Sequence, residues 1–319
     1  MRAPGSRDAG NILLNPDVAR TDIAKIPDIA STRGMNRRES IGLMGLALMQ
    51  SAASVRAAPP NPSLPKAAEP LDTTSAQGIA RVYRKLAWIA GEGFGIWWLK
   101  GRRYCAVPPT YLPFWDMLIG TLFEVRDVDA ETYAVTTLTT TFYTDIATGA
   151  LLETFHNPVT GKDQKVPYQT PHPSEQRYGV HGRMDEPAGI PGTVTTRSGE
   201  PGPIFIEGDD IWLRSDFSAR ALPSDTTRPA FQVEDLSTYF GSLQAVANPA
   251  ARAVPAGQVF TDLLNYPAWL EMGDRNGHFF SRCFGRKVFS AAAMPADWRR
   301  LMAEHHPQLL EDPRGALRG

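Results

Sequence analysis

A chain of 319 residues with 42% hydrophobic and 9% aromatic content is long enough to bury a sizeable core. Its 33 Lys and Arg balance 34 Asp and Glu to a formal net charge of −1, so no bulk field draws it to phosphate backbones or anionic lipid, and nucleic acid is not an expected partner. The 27 Pro and 27 Gly suit a chain that turns often between strands, which tilts the class toward β.

The first readable element is an address. From Met35 a twin arginine, Arg37 and Arg38, precedes a mildly apolar run from Ile41 to about Val55, and Val55-Arg56-Ala57 before Ala58 supplies small residues for cleavage. The run is short for a bilayer span, so no stable membrane span is expected after cleavage. Paired arginines with modest hydrophobicity favour the twin-arginine route, with Arg37 and Arg38 meeting the export machinery and the product in the periplasm. Residues 1–34 lack the pattern of a domain and are expected to be a non-native extension ahead of a start at Met35. The alternative is a chance Arg-Arg pair before an amphipathic helix, with a genuine upstream extension. The expected organisation is therefore 1–34 extension, 35–57 signal, 58–72 linker carrying five prolines, and 73–319 a single β-rich domain.

Thr73, Thr74 and Ser75 can cap a helix with Ile79, Val82 and Leu86 on one face. Gly95 to Val107 reads as two strands about a Lys100-Gly101 turn, stopped by Pro108 and Pro109. Strands are expected over Leu118–Val125 and, after an Asp-rich turn at 127–129, over Thr132–Tyr143, which is almost all Thr, Val, Leu, Tyr and Phe. Turns at Thr144–Gly149 and Asn157–Gly161 bracket Leu151–His156. Ile204–Ile206 and Ile211–Phe217 form a hairpin about Gly208-Asp-Asp; Gly277–Cys283 and Arg286–Ser290 form another about Gly285. Val233–Ala247 reads as a helix, and Pro295 opens a second one with Trp298, Leu301, Met302 and His305 at helical spacing, lying across a mouth or flank.

So many antiparallel strands need closure to hide their edges, and no fixed-period repeat suggests a propeller. The expected class is mainly β: an antiparallel β-barrel-like single domain of calycin or lipocalin kind, with a few peripheral helices. Cys105 and Cys283 either pair, as an oxidising compartment permits, or stay buried free thiols.

Three stretches carry a resemblance. They are Tyr-Arg-Lys-Leu before the Trp97-Trp98 segment, the run Tyr143 to Gly161 (YTDIATGALLETFHNPVTG), and Pro267 to Gly277 (PAWLEMGDRNG) leading into Gly285-Arg-Lys. In these the chain resembles, over most of Lys85 to Trp298, the uncharacterised bacterial and fungal domain-of-unknown-function family 1838. The resemblance implies export by twin-arginine signals in some members and supplies no catalytic residues; the segment from Tyr168 to Tyr178 departs from the family pattern.

Candidate chemistry is spread along the strands. His156, His172 and His181 fall in one strand-turn-strand region, and His172 or His181, oriented by Glu175 or Asp185, could serve as a base, with Tyr178 beside them and Arg177 holding a substrate carboxylate. The competing reading is a solvated loop with ordinary histidines. Trp97, Trp98, Trp115, Trp212 and Trp269, with Tyr104, Tyr143 and Tyr239, include inward positions that could line a pocket for a flat apolar molecule or simply fill the barrel. Glu271, Asp274, Arg275 and His278 share a turn that Gly273 and Gly277 explain without any ligand. No compact metal pattern, nucleophile elbow, phosphate loop or dinucleotide fingerprint occurs, so no metal and no cofactor is expected.

Three functions follow in order: a cofactor-independent lyase or isomerase for a small hydrophobic or aromatic compound, with catalytic His172, His181 and Tyr178; a periplasmic carrier for such a compound; and an envelope structural protein. Substrate contacts are expected from Trp97, Tyr104, Tyr143, Arg177, Trp212, Trp269 and His278.

Overall fold

The computed structural model describes residues 70–168, 170–184, 193–223 and 231–318. The signal and its arginines Arg37 and Arg38, together with Asp185, lie outside them.

Helix α1 (Ala76–Ala87) starts where Ser75 accepts from the Gly78 N–H, and it buries Val82, Tyr83 and Leu86. Three long strands follow, β1 (Gly93–Val107), β2 (Thr110–Asp127) and β3 (Tyr133–Thr144). After a small separate hairpin, β4 (Thr154–Asn157) with β5 (Lys162–Lys165), come β6 (Ser174–Gly179) and β7 (Gly182–Arg183), then β8 (Thr193–Ser198), β9 (Pro201–Glu207), β10 (Asp210–Pro223) and β11 (Phe231–Ser242). A short helix α2 (Leu243–Ala247) leads to β12 (Gly257–Leu264) and β13 (His278–Val288), and α3 (Ala296–His305) and α4 (Pro307–Glu311) lie near the end.

Apart from the small hairpin, all strands form one antiparallel sheet in the order β7-β6-β3-β2-β1-β13-β12-β11-β10-β8, with β9 also on β10. The sheet curls into a nearly closed barrel. Its two ends approach each other: His181 Nδ1 is 3.6 Å from the Glu200 carboxylate, and Gly182 packs against Pro201. The chain is thus a mainly β, antiparallel, barrel-like fold with few short helices.

Strand alternation assigns the faces. Trp97, Leu99, Arg103 and Cys105 of β1 point inward; Ile96, Trp98, Lys100 and Arg102 point outward. At one end α1 fills the barrel, its Val82, Tyr83 and Leu86 meeting inward Phe123, Val135 and Leu213. At the other, Phe155 and Val166 of the small hairpin and Leu270 pack on inward Phe114, Trp115 and Phe279. The C-terminal helices cover the outer flank of β1–β3, where Trp298, Leu301 and Met302 bury Ile96, Leu118, Leu122 and Phe142.

Three expectations are corrected. Lys100-Gly101 is no turn: β1 runs unbroken through it, and the reversal falls at the cis Pro108-Pro109 bond. Gly285 likewise sits inside β13. In both places a Cβ would run into the facing strand's backbone, so the glycines permit β1 and β13 to approach rather than to reverse. Val233–Ala247 is strand β11 up to Ser242 and helical only after it. Cys105 and Cys283 are buried free thiols. Cys283 pairs in register with Gly101, four residues from Cys105, which separates the two by about 13 Å along the strands, far beyond disulfide reach.

Candidate functional site

Between the two filled ends lies a cavity of about 610 Å³, walled by Trp115, Tyr143, Trp269 and Phe279, floored by Arg103, and flanked by a hydroxyl ladder of Thr137, Thr139 and Thr141 on β3. Each wall residue gets there by alternation from strands already in place, except Trp269, which a single helical turn at Ala268–Leu270 sets against Trp115 with stacked rings 5.6 Å apart. Tyr168 lines the cavity and is tied to the small hairpin's approach, its hydroxyl donating to the Leu152 carbonyl at 2.7 Å. Burial pushes the Tyr168 phenol up to about 12 and raises that of Tyr143. The Trp115 indole N–H is buried without a partner among the described residues.

The floor is charged. Arg103 Nη1 donates to Asp262 Oδ1 at 2.7 Å, with the two side chains 9% and 8% exposed. Ser281 donates to the same oxygen from its backbone N–H at 2.8 Å and its hydroxyl at 2.6 Å. All three bonds fall on Oδ1, and Arg103 has donors besides Nη1 to face the cavity. A buried pair of this kind is costly unless its geometry and further hydrogen bonds repay the desolvation.

A second chamber of about 250 Å³ lies further along the barrel, where Tyr83, Tyr178 and Tyr239 converge with Gln176, Ser215 and Asp235. Tyr178 donates to Gln176 at 2.8 Å and stacks on Tyr133. Burial raises the hydroxyl pKa values of Tyr83, Tyr133 and Tyr239. Ser174, Gln176 and Tyr178 run along the inner face of β6 from the first chamber into the second.

The sequence candidates therefore separate. Tyr143, Trp269 and His172 meet at the first cavity, His172 exposed on its rim. Tyr178 lies in the second chamber, and His181 is on the surface beside Glu200. Glu175 faces outward between Arg126 and Arg177. Trp97 is core, its indole donating to the Ala87 carbonyl at 2.7 Å. Tyr104 stacks on Phe280 on the outer face, with His278 nearby, and Trp212 is also outward on β10. In the 271–278 turn, Glu271 pairs with Lys162 and Arg275 donates to the Met272 carbonyl. His156 pairs with Asp163 on the small hairpin.

Sequence reasoning missed Arg103, Asp262 and Asp235, whereas Trp115 was among the aromatics expected at a pocket. Among the described residues no group of three or more His, Cys, Asp or Glu is placed to hold a metal ion, and no helix is long and apolar enough to cross a membrane.

A family model described as a protein of unknown function (DUF1838) matches residues 96–318, from β1 through the C-terminal helices. The chain belongs to this family. No curated protein matches it.

Proposed function

We propose that this DUF1838 protein takes up a small aromatic or hydrophobic compound bearing an anionic group into the barrel lumen. The observation that carries the reading is Arg103, a buried guanidinium held by Asp262 and open toward an aromatic-walled cavity. A desolvated guanidinium beside Trp and Phe faces suits a carboxylate attached to a flat ring. A volume of about 610 Å³ suits a ligand of drug size or smaller.

Acid–base turnover of that compound by lyase or isomerase chemistry is the finer proposal, with His172 at the rim and Tyr178 deeper as groups able to carry protons. Simple carriage is the rival reading, favoured by the separation of His172, Tyr178 and His181. Export to the periplasm through Arg37 and Arg38 is part of the proposal and rests on sequence alone; fractionation of cells carrying Lys at both positions tests it, with retention of the precursor in the cytoplasm expected.

Trp115 and Trp269 make the binding reading testable by fluorescence. Titration of the chain from Ala58 with cinnamate, indole-3-acetate and their methyl esters, backed by native mass spectrometry, should give saturable quenching by the acids and weak quenching by the esters. Arg103→Lys keeps a charge for Asp262 but loses the fork, and should weaken acid binding about tenfold. Equal response to acids and esters would overturn the anionic part of the reading; no response across these and a panel of steroids and terpenoids would overturn the binding reading itself.

A further inference from the structure

Asp235 on β11 and Asp262 on β12 are directly opposed in register, and both side chains enter the barrel. Opposed residues of an antiparallel pair have Cβ atoms about 5 Å apart. Asp262 is neutralised by Arg103 and by two donors from Ser281. Among the described residues Asp235 accepts from the Ser237 hydroxyl, at 2.7 Å, and forms no ion pair, although Arg183 of β7 lines the same chamber. Of two carboxylates this close, the one without a paired guanidinium is the one whose charge is less compensated.

We infer that Asp235 moves a proton on the ligand, acting as base and then acid toward an aromatic 2-oxo acid whose C–H lies next to its carbonyl. The inference rests on the reading of the lumen as a site for an aromatic anion. A ligand carboxylate on the remaining donors of Arg103 would sit beside Asp262, whose register partner is Asp235, so the inference requires the ligand C–H to extend from the first cavity toward the second chamber. The Asp235 carboxylate takes the proton from the carbon beside the carbonyl, and the C–H electron pair becomes the carbon–carbon double bond of an enolate whose charge rests on the former carbonyl oxygen. The Asp235 carboxyl, whose proton exchanges with solvent, then returns a proton to that oxygen, giving the enol, or to carbon, restoring the ketone with solvent hydrogen at that carbon. No oxidant, reductant or cofactor enters. The hydroxyls of Tyr83, Tyr178 and Tyr239 line the chamber that Asp235 faces and offer donors to the developing oxyanion.

Charged and titratable groups around Asp235 are Asp262 with its Arg103, Arg183 of β7, Tyr239 beside it, Tyr178 of β6 and Tyr83 of α1, with Asp216 of β10 nearby and paired to Arg214. Burial, then the charges of Asp262 and Asp216, push its carboxyl up to about 7 against the hydrogen bond from Ser237, where a group serves equally well as base and acid.

The test uses phenylpyruvate as the probe with the chain from Ala58. Tryptophan quenching reports binding, and proton NMR in heavy water reports exchange of its methylene hydrogens. Expected are saturable quenching and exchange above the buffer rate that rises through an apparent pKa near 7. Asp235→Asn should bring exchange down about 100-fold or to the buffer rate while quenching shifts less than about threefold, and Asp235→Glu should restore part of the exchange. Quenching without exchange, or exchange unchanged in Asp235→Asn, overturns the inference and leaves the binding reading standing. Absence of quenching by this probe and by the aromatic acids above overturns both.

Discussion

Asp235 and Asp262 face each other across β11 and β12, yet among the described residues only Asp262 forms an ion pair. The asymmetry sets a pH dependence of stability. The folded carboxyl of Asp235 titrates near 7 against an ordinary 3.8 in the unfolded chain, so the native state holds the extra proton. Its contribution is fully present below about pH 4 and is lost as pH rises toward 7. Asp235→Asn, which stays neutral, should gain on wild type by up to about 4 kcal/mol between pH 4 and pH 8 in urea unfolding. A stability difference that is flat over this range would refute the assignment.

Lys287 is a buried lysine with a structural task. Its ammonium donates to the carbonyls of Lys85, Leu86 and Trp88 at 2.6, 2.8 and 2.6 Å, capping the C-terminal end of α1 from strand β13, while burial pulls its pKa well down. Three carbonyls and three donors match. Lys287→Met leaves those acceptors buried and unpaired and should cost about 3 kcal/mol or more, with amide exchange fastest in α1.

The free thiols give a third expectation. Burial raises the pKa of both, that of Cys283 to about 11, so neither is a ready thiolate. Alkylation at neutral pH should be slow in the native protein and should reach two groups per chain on unfolding, and reductant should not move the unfolding midpoint. A midpoint that falls with reductant would mean the cysteines pair.

Gly120 on the outer face of β2 lies directly under the Trp298 indole of α3, and a Cβ there would collide with the ring. Gly120→Ala should destabilise by about 1–3 kcal/mol and loosen the C-terminal helices, seen as increased exposure of Trp298 to acrylamide quenching.

The sequence made the capped α1 and the threonine-rich β3 readable through the period of their buried residues, and the β9–β10 hairpin through its Gly208 turn, since Phe205 and Ile206 of β9 are exposed. Strand β11 misled because its pattern is inverted. Asp235, Ser237 and Tyr239 face the polar lumen, whereas Leu236 and Phe240 point outward at 43% and 37% exposed. Apolar Val233, Leu236 and Phe240 at spacings of three and four then imitate a helix. The aromatic walls Tyr143 and Trp269 were visible by residue type. The charged floor was not: Arg102 and Arg103 are neighbours in the chain, and only register shows that the first pairs outside with Asp116 and the second inside with Asp262.

Among the described residues α1 fills one end of the barrel, and the first cavity opens at the rim that carries His172. Under the proposed function, a compound that enters past His172 would turn back and leave by the door it used. If the proposed acid–base turnover takes place there, product and substrate would share that passage, so accumulated product should inhibit competitively and exit past Trp269 and Tyr168 would cap turnover.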